Sequence, residues 1–501
     1  MPSGLHALGI ERAPNIPRIA EFLADAFPVD GYAGFSNISS LPAGHLLRWS
    51  DGKLERRQYW DPAPRELSLR SDDEYVEAFR EQIDTAVRSR LRGCDGRVAT
   101  QLSSGYDSGT VTATAARLLR NEGGTVTAFT AAPRLGFDGF VPRGRLADES
   151  AIAAMTAALY PNVEHFVLRP DGTSPLQILD DLHRFAQFAG GHICNHTWWT
   201  AIQKQVSARG IKVLLTGEQG NLTLSAGGPQ QLADLIRTGR WLAWLREAFL
   251  APREMGMTWK GVLASSLGPW LPRRLWVRLA ASHGVMAAKL NEPFLLAEPF
   301  RSQMMALHRS TGRDPRPPRN SFALRCRLLQ RQDSGNFRKA ALAQWGLDER
   351  DPTADSRLIS FCLSLPPDRL LKNGVRRPLA QKALADRLPE AVLKPKARGL
   401  QMADWYEHIT PSESAQLAER LSRSAAASTL IDFGRVRELI GKWPPPDWEG
   451  WDVEAEYRGA LLRSLAAAHF VAYAEGPLTD WQTAPVRWSG AVPQASIGAG
   501  S

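Results

Sequence analysis

The stretch Leu102-Ser103-Ser104-Gly105-Tyr106-Asp107-Ser108 decides the fold. It follows the strand-like run Arg97 to Gln101 and precedes the Ala/Leu-rich segment Thr110 to Leu119, so it reads as a loop between a buried strand and a helix. Such a loop of small residues aims several backbone N–H groups and the positive end of a helix dipole at one point. That suits an anion, most often phosphate. Hydroxyls at Ser103, Ser104 and Ser108 can donate to phosphate oxygens, and Asp107 offers a hard oxygen ligand for Mg²⁺. Taken by itself, the segment reads equally well as a Ser/Gly turn ahead of a helix N-cap.

Outward from this loop the hydrophobic period alternates. Upstream, Tyr75, Phe79, Ile83 and Val87 fall at helical spacing between Asp72 and Leu91. Downstream, strand-like runs at Val98–Leu102, Thr125–Ala131, Val163–Leu168 and Ile211–Leu215 are separated by helical patterns at Thr110–Arg120, Ser150–Leu159 and Thr197–Ala208. Strands alternating with helices of this length predict parallel strands joined by right-handed crossovers, a doubly wound α/β sheet. Ligands of such sheets bind beyond the carboxyl ends of the strands. The Ser103–Ser108 loop lies there, as do Ala131 and the turn Thr216-Gly217-Glu218.

The remaining segments frame this core. Residues 1–65 carry a Pro/Gly-punctuated pattern of short strands and turns, through Gly34-Phe35-Ser36 and Leu41-Pro42-Ala43-Gly44 to Tyr59-Trp60-Asp61-Pro62. Beyond Gln230 the chain turns helical and tryptophan-rich, with Trp241, Trp244, Trp259, Trp270 and Trp276. A helical layer on the sheet or along a substrate channel is the reading preferred for Trp241–Ala281. An interfacial membrane helix is the other, because tryptophan and arginine at helical spacing suit an interface. Residues 481–501 read as a flexible Pro/Ala/Gly/Ser tail.

Composition narrows the class. With 44% hydrophobic and 23% charged residues, and no apolar run long enough for a transmembrane helix, the chain reads as a soluble, cytoplasmic protein without stable membrane insertion. Met1-Pro2-Ser3-Gly4 does not begin a secretory signal. Cys94, Cys194, Cys326 and Cys362 are scattered and form no C-x-x-C pair, which predicts reduced thiols. The net charge of +9 comes with no nucleic-acid-binding signature, so no nucleic-acid partner is expected. His192, Cys194 and His196 have a metal-like spacing and nothing else in support, and read as core or pocket-lining residues.

Three later segments build a site around the loop: Leu214-Leu215-Thr216-Gly217-Glu218-Gln219-Gly220-Asn221, then Asp348-Glu349-Arg350-Asp351-Pro352-Thr353-Ala354-Asp355, then Lys394-Pro395-Lys396-Ala397-Arg398-Gly399. In this order they resemble the synthetase domain of asparagine synthetase and its relative β-lactam synthetase, over roughly residues 66 to 410. The likeness is strongest to the lasso peptide cyclases, whose fingerprints look like S-S-G-x-D-S, T-G-x-x-G-N-L-T-L-S and R-D-P-T-A-D. These are matched at Ser103–Ser108, Thr216–Ser225 and Arg350–Asp355.

The resemblance implies an ATP pyrophosphatase-type fold with added helices, a synthetase domain over residues 66–480, and ATP with Mg²⁺ as cofactors. The loop Ser103, Ser104, Gly105, Asp107 and Ser108 would hold the phosphates, and Leu102, Ala131, Thr216 and Gly217 would flank the adenosine. Asp107 would bind Mg²⁺, with its family partner, an Asp, replaced here by Asn221; Glu218 is the alternative second ligand. Lys396 stands where the family neutralises charge developing on the phosphates and the acyl centre. Asp348 stands where the family has a Glu near the reacting amine, with Glu349 one residue away as the alternative. Where a glutamine-dependent asparagine synthetase has a nucleophilic Cys after its initiator Met, this sequence has Pro2, and residues 1–65 resemble only the closing part of a glutaminase domain. The expected reaction is therefore adenylation of an Asp or Glu side chain of a precursor peptide, followed by capture by the peptide's own N-terminal amine to close a macrolactam. A leader peptidase and a leader-recognition protein would be its partners. A small-molecule amide ligase or a catalytically degenerate nucleotide-binding subunit are the alternatives.

Overall fold

Ser71 starts the first long helix. Its side chain accepts a hydrogen bond from the Glu74 N–H, and Asp72, Asp73 and Glu74 fill the first turn while Arg88 and Arg90 fill the last, so both dipole ends are matched by charge. The resulting helix, Asp72–Arg90, buries the stripe Tyr75, Phe79, Ile83 and Val87 that the sequence predicts. The computed structural model describes residues 2–24, 34–62, 66–281, 295–310, 316, 318–330 and 334–476; the tail 481–501 lies outside them.

The described strands, in chain order, are β1 (His45–Ser50), β2 (Lys53–Gln58), β3 (Arg97–Gln101), β4 (Thr125–Ala131), β5 (Arg145–Leu146), β6 (Val163–Leu168), β7 (Val213–Leu215), β8 (Asp348–Arg350), β9 (Leu371–Lys372), β10 (Val375–Arg376) and β11 (Arg398–Gly399). Five of them form the central sheet in the order β6-β4-β3-β7-β8, with every neighbouring pair parallel. The first strand of the sheet, β3, is thus central, and the chain winds outward first to one side and then to the other. Side-chain alternation sends Val98, Val126, Val213 and Leu215 to one face, against the helices Asp72–Arg90 and Tyr106–Arg120. Ala99, Phe129 and Leu214 go to the other, against Ile202 and Val206 of the helix Ile193–Ala208. Burying each of the valine, leucine, isoleucine and phenylalanine side chains contributes about 1.5–3 kcal/mol.

Two features differ from expectation. The sheet has a fifth strand, β8, which is too short and too charged to signal itself by period. The first 65 residues are also not mainly β. They open with the short helices Pro2–Ala7 and Ile16–Leu23, and their only regular β-structure among the described residues is the hairpin β1–β2, turning through Asp51-Gly52, both at positive φ. Ile19, Phe22, Leu23 and Phe35 pack into the same core as the buried helix Leu462–Ala474. Gly34 allows this, because a Cβ there would lie 2.6 Å from the Phe470 ring.

Candidate functional site

One cleft of about 3080 Å³ opens beyond the carboxyl ends of the sheet, and the loop after β3 forms part of its wall. The loop is stiffened from within. Ser108 Oγ accepts from Ser103 N at 3.0 Å and lies 2.8 Å from Ser103 Oγ, which accepts in turn from Gly105 N at 3.1 Å. From outside, the buried Glu149 accepts from both Ser104 N (3.1 Å) and Ser104 Oγ (2.5 Å). This explains the serine: its hydroxyl ties the loop to a carboxylate that a glycine could reach only through its backbone. Burial raises the Glu149 carboxyl above the ordinary range.

Asp107, in the first turn of the helix Tyr106–Arg120, is the centre of the site. Its Oδ2 accepts from Ser225 Oγ at 2.9 Å, while Oδ1 is buried with no hydrogen-bond partner among the described residues. Burial pushes its carboxyl up to about 7, although Ser225 and the nearby Arg377 pull the other way. The turn after β7 closes directly onto it. A Cβ on Gly220 would meet Asp107 Cγ at 2.2 Å, and one on Gly217 would meet the Asp107 carbonyl carbon at 2.9 Å. Both glycines are thus required by close approach.

The fifth strand completes the opposite wall. Asp351 is buried at its exit and accepts from Gln219 N (3.0 Å), Thr353 N (2.8 Å) and Thr353 Oγ1 (2.6 Å), binding the β7 turn to β8. Glu349 faces the cleft and accepts from Gln203 Nε2 at 2.9 Å. Burial, with the adjacent Glu218 charge as second cause, pushes its carboxyl up to about 7. Arg338 stands between the acids, 3.3 Å from Glu218 Oε2 and 3.6 Å from Asp351 Oδ2. Burial raises the Glu218 carboxyl despite this partner.

Of the residues singled out in the sequence, Leu102, Ser103, Ser104, Gly105, Asp107, Ser108, Ala131, Gly217, Glu218, Asn221, Glu349 and Lys396 all line this cleft. Two do not. Thr216 is buried behind it, its N–H donating to Arg350 O at 2.9 Å. Asp348 lies at the amino end of β8, away from the cleft, where Arg350 Nε donates to its Oδ2 at 2.9 Å. The strand's alternation separates the neighbours: Glu349 turns to the cleft and Asp348 away from it. His196 is a buried ring stacked on Phe337 at 5.0 Å, and burial pushes its pKa down to about 3; Cys194 is buried too.

Two arginines the sequence left unremarked, Arg376 and Arg377, stand beside the loop. Arg376, Arg377 and Arg398 line the cleft together, and mutual repulsion adds to burial in lowering Arg376 and Arg377 below the usual arginine range. The Nε atoms of Arg376 and Arg377 are buried without partners among the described residues. Arg377 also holds a left-handed backbone at φ +60°, unusual for a non-glycine residue. Clustered cations with unspent donors facing a small-residue loop fit a polyanion. Their only sequence signal is the dipeptide itself, which resembles any other basic pair. No group of three or more His, Cys, Asp or Glu side chains is gathered for a metal among the described residues. Asp107, with its unpaired oxygen, nevertheless fits Mg²⁺ that takes its other ligands from phosphates and water, as Mg²⁺ commonly does.

The fold and the cleft define an α/β protein whose strand-end loops converge on one buried carboxylate at a helix N-terminus. The chain belongs to the asparagine synthase family, whose profile matches residues 78–464. It is also similar to amidase chry2 of Gibberella zeae, 30% identical over 38% of this chain, and to amidase chyE of Penicillium rubens, 32% identical over 39% of it. The aligned part covers 29% of the length of each of these relatives.

Proposed function

We propose that this protein is an ATP-dependent amide-forming ligase that activates a carboxylate as its adenylate and passes the acyl group to an amine. Family membership and the amidase names of the relatives support amide chemistry. The observation that carries the nucleotide reading is the unpaired oxygen of Asp107, a residue that lines the cleft together with Arg376, Arg377 and Arg398. The cleft also lies at the strand ends of the parallel sheet, where the order of strands turns back between β3 and β7.

ATP supplies the phosphoryl centre: the substrate carboxylate oxygen attacks the α-phosphorus, the bond to the bridging oxygen breaks, and pyrophosphate leaves. Asp107 would hold the Mg²⁺ of the nucleotide, with Asn221 or Glu218 as second ligand, and the Ser103–Ser108 loop would seat the phosphates. Lys396, exposed at the cleft, would neutralise charge on the departing group. In the second half the amine nitrogen attacks the acyl carbon and AMP departs. Glu349 would take the amine proton at Oε1 or Oε2, held in place by Gln203, which makes it the amine-handling group in place of Asp348.

A peptide acceptor, closing a macrolactam, is the more specific reading. The size of the cleft favours it: about 3080 Å³, against the ~300–1,000 Å³ usual for small ligands. The test is to incubate the protein with ATP, Mg²⁺ and either free amino acids or candidate linear peptides, following pyrophosphate, AMP and products lighter by one water. Pyrophosphate and AMP in equal amounts with a dehydrated product support ligation. Release of ADP, or no turnover with either substrate class, overturns it.

A further inference from the structure

The tryptophan-rich segment does not lie flat under other structure. On the helix Trp241–Glu254, the side chains of Trp241, Leu242, Leu245 and Phe249 share one stripe and stand out from the surface, Leu242 at 84% and Phe249 at 73% exposure. The opposite side of the same helix buries Glu247, Ala248 and Ala251. The next helix, Trp259–Leu267, exposes Trp259, Leu263 and Leu267 at intervals of one turn and buries Val262 and Ser266. The two stripes are continuous, since the Phe249 and Trp259 rings meet edge to face with centroids 6.2 Å apart. Monomeric soluble proteins rarely leave so contiguous a set of large apolar side chains in water.

The charges of the segment are predominantly positive, although Arg240 pairs with Glu66 at 2.9 Å and Arg253 with Glu254 at 3.5 Å. Arg240, Arg246, Arg253, Lys260, Arg273, Arg274 and Arg278 belong to this segment, against Glu247 and Glu254. Glu247 offsets only one of them: it is buried, its Oε1 accepts from Arg246 Nη2 at 3.1 Å, and its two oxygens also accept from the N–H groups of Asn373 and Gly374.

We infer that this face adsorbs to an anionic phospholipid surface, with Leu242, Phe249 and Trp259 entering the headgroup layer and the surrounding arginines and Lys260 meeting lipid phosphates. Projecting apolar side chains and a cationic surround suit a fluid, negatively charged interface, and the amphipathic pattern is that of a helix lying in the interface plane. No described helix is long and apolar enough to cross a membrane, which fits adsorption from one side. The inference is independent of the reaction in the cleft, because none of the projecting residues lines it.

The test is co-sedimentation of the full chain with vesicles of phosphatidylcholine alone and of phosphatidylcholine mixed with phosphatidylglycerol. Binding is expected only to the mixed vesicles and is expected to fall steeply with added salt. The double substitution Leu242→Glu with Phe249→Glu should weaken partition roughly tenfold or more. Arg253→Glu with Lys260→Glu, which leaves the apolar stripe intact, should do so at low salt. Both variants should retain the wild-type melting temperature. Equal binding to neutral vesicles, no binding at all, or a concentration-dependent dimer that Leu242→Glu with Phe249→Glu dissolves would overturn it, the last because the stripe would then meet a second copy of this chain.

Discussion

Asp107 and Glu349 are both buried carboxyls near pH 7, and their neighbours assign them different work. Asp107→Asn keeps the shape and the Ser225 contact but removes the charge offered to a cation, so pyrophosphate release should fall by on the order of a hundredfold or more. Gly220→Ala should do similar damage from a distance, since the new Cβ would overlap Asp107 Cγ; full activity in either variant refutes the placement of the metal. For Glu349 the folded value of about 7 lies above its ordinary 4.5. Its protonated form therefore supports the fold at low pH, and that support is lost as pH rises from 4.5 through about 7. Glu349→Gln should then be more stable than wild type above pH 7, by on the order of 1–3 kcal/mol in denaturant titrations. The same substitution should abolish amide formation, which in the wild type should climb through pH 7 as the proton acceptor ionises. Asp348→Asn should leave product formation nearly unchanged. Loss of amide product in Asp348→Asn but not in Glu349→Gln would reverse the assignment.

At the scale of elements, β8 shows what can be read from sequence and what cannot. The period-2 and period-3.6 patterns located β3, β4, β6 and β7 and three of the helices between them, because most of these bury a continuous apolar face; the short helix Leu179–Ala186 was not among them. β8 has no such face, and most of what holds its ionisable side chains comes from partners far along the chain. Arg350 is one example: Nη1 donates to Arg90 O at 2.6 Å and to Arg92 O at 2.7 Å, binding β8 to the end of the helix Asp72–Arg90. Arg350→Ala should cost about 1–3 kcal/mol in chemical denaturation and loosen Glu349, whereas Arg350→Lys should restore only part of the loss because it cannot fork. The loop was legible as a strand-to-helix turn because a run of small residues stands between two apolar patterns of different period. Glu149, Arg376 and Arg377 were not, since each acquires its role through a contact that no local pattern encodes. β11 adds one more such contact. It pairs with β5, and Gly399 presses against the Glu149 carboxylate, so the segment carrying Lys396 is tied to the carboxylate that holds Ser104.

For the whole molecule, the helical core shared by N- and C-terminal segments encloses a buried histidine pair. His183 and His469 face each other with Nδ1 atoms 2.7 Å apart, and His469 Nε2 lies 3.1 Å from Asp180. Burial holds both imidazoles below 6.5. Their contribution to stability is therefore complete above 6.5 and declines as pH falls from there through the lowered folded values. The melting temperature of wild type should drop more steeply below pH 6.5 than that of His183→Gln; parallel slopes would remove the pair from the account. The sheet, finally, sets a timetable. β7 and β8 are neighbours in space, but about 130 residues separate them in sequence. A ribosome adding ~5–20 residues per second leaves the outer edge of β7 unpaired for on the order of ten seconds. During that interval the growing chain exposes Val213, Leu214 and Leu215 on an open strand edge beside a half-built cleft, so a chaperone that shields nascent strands has most to protect before Asp348 emerges.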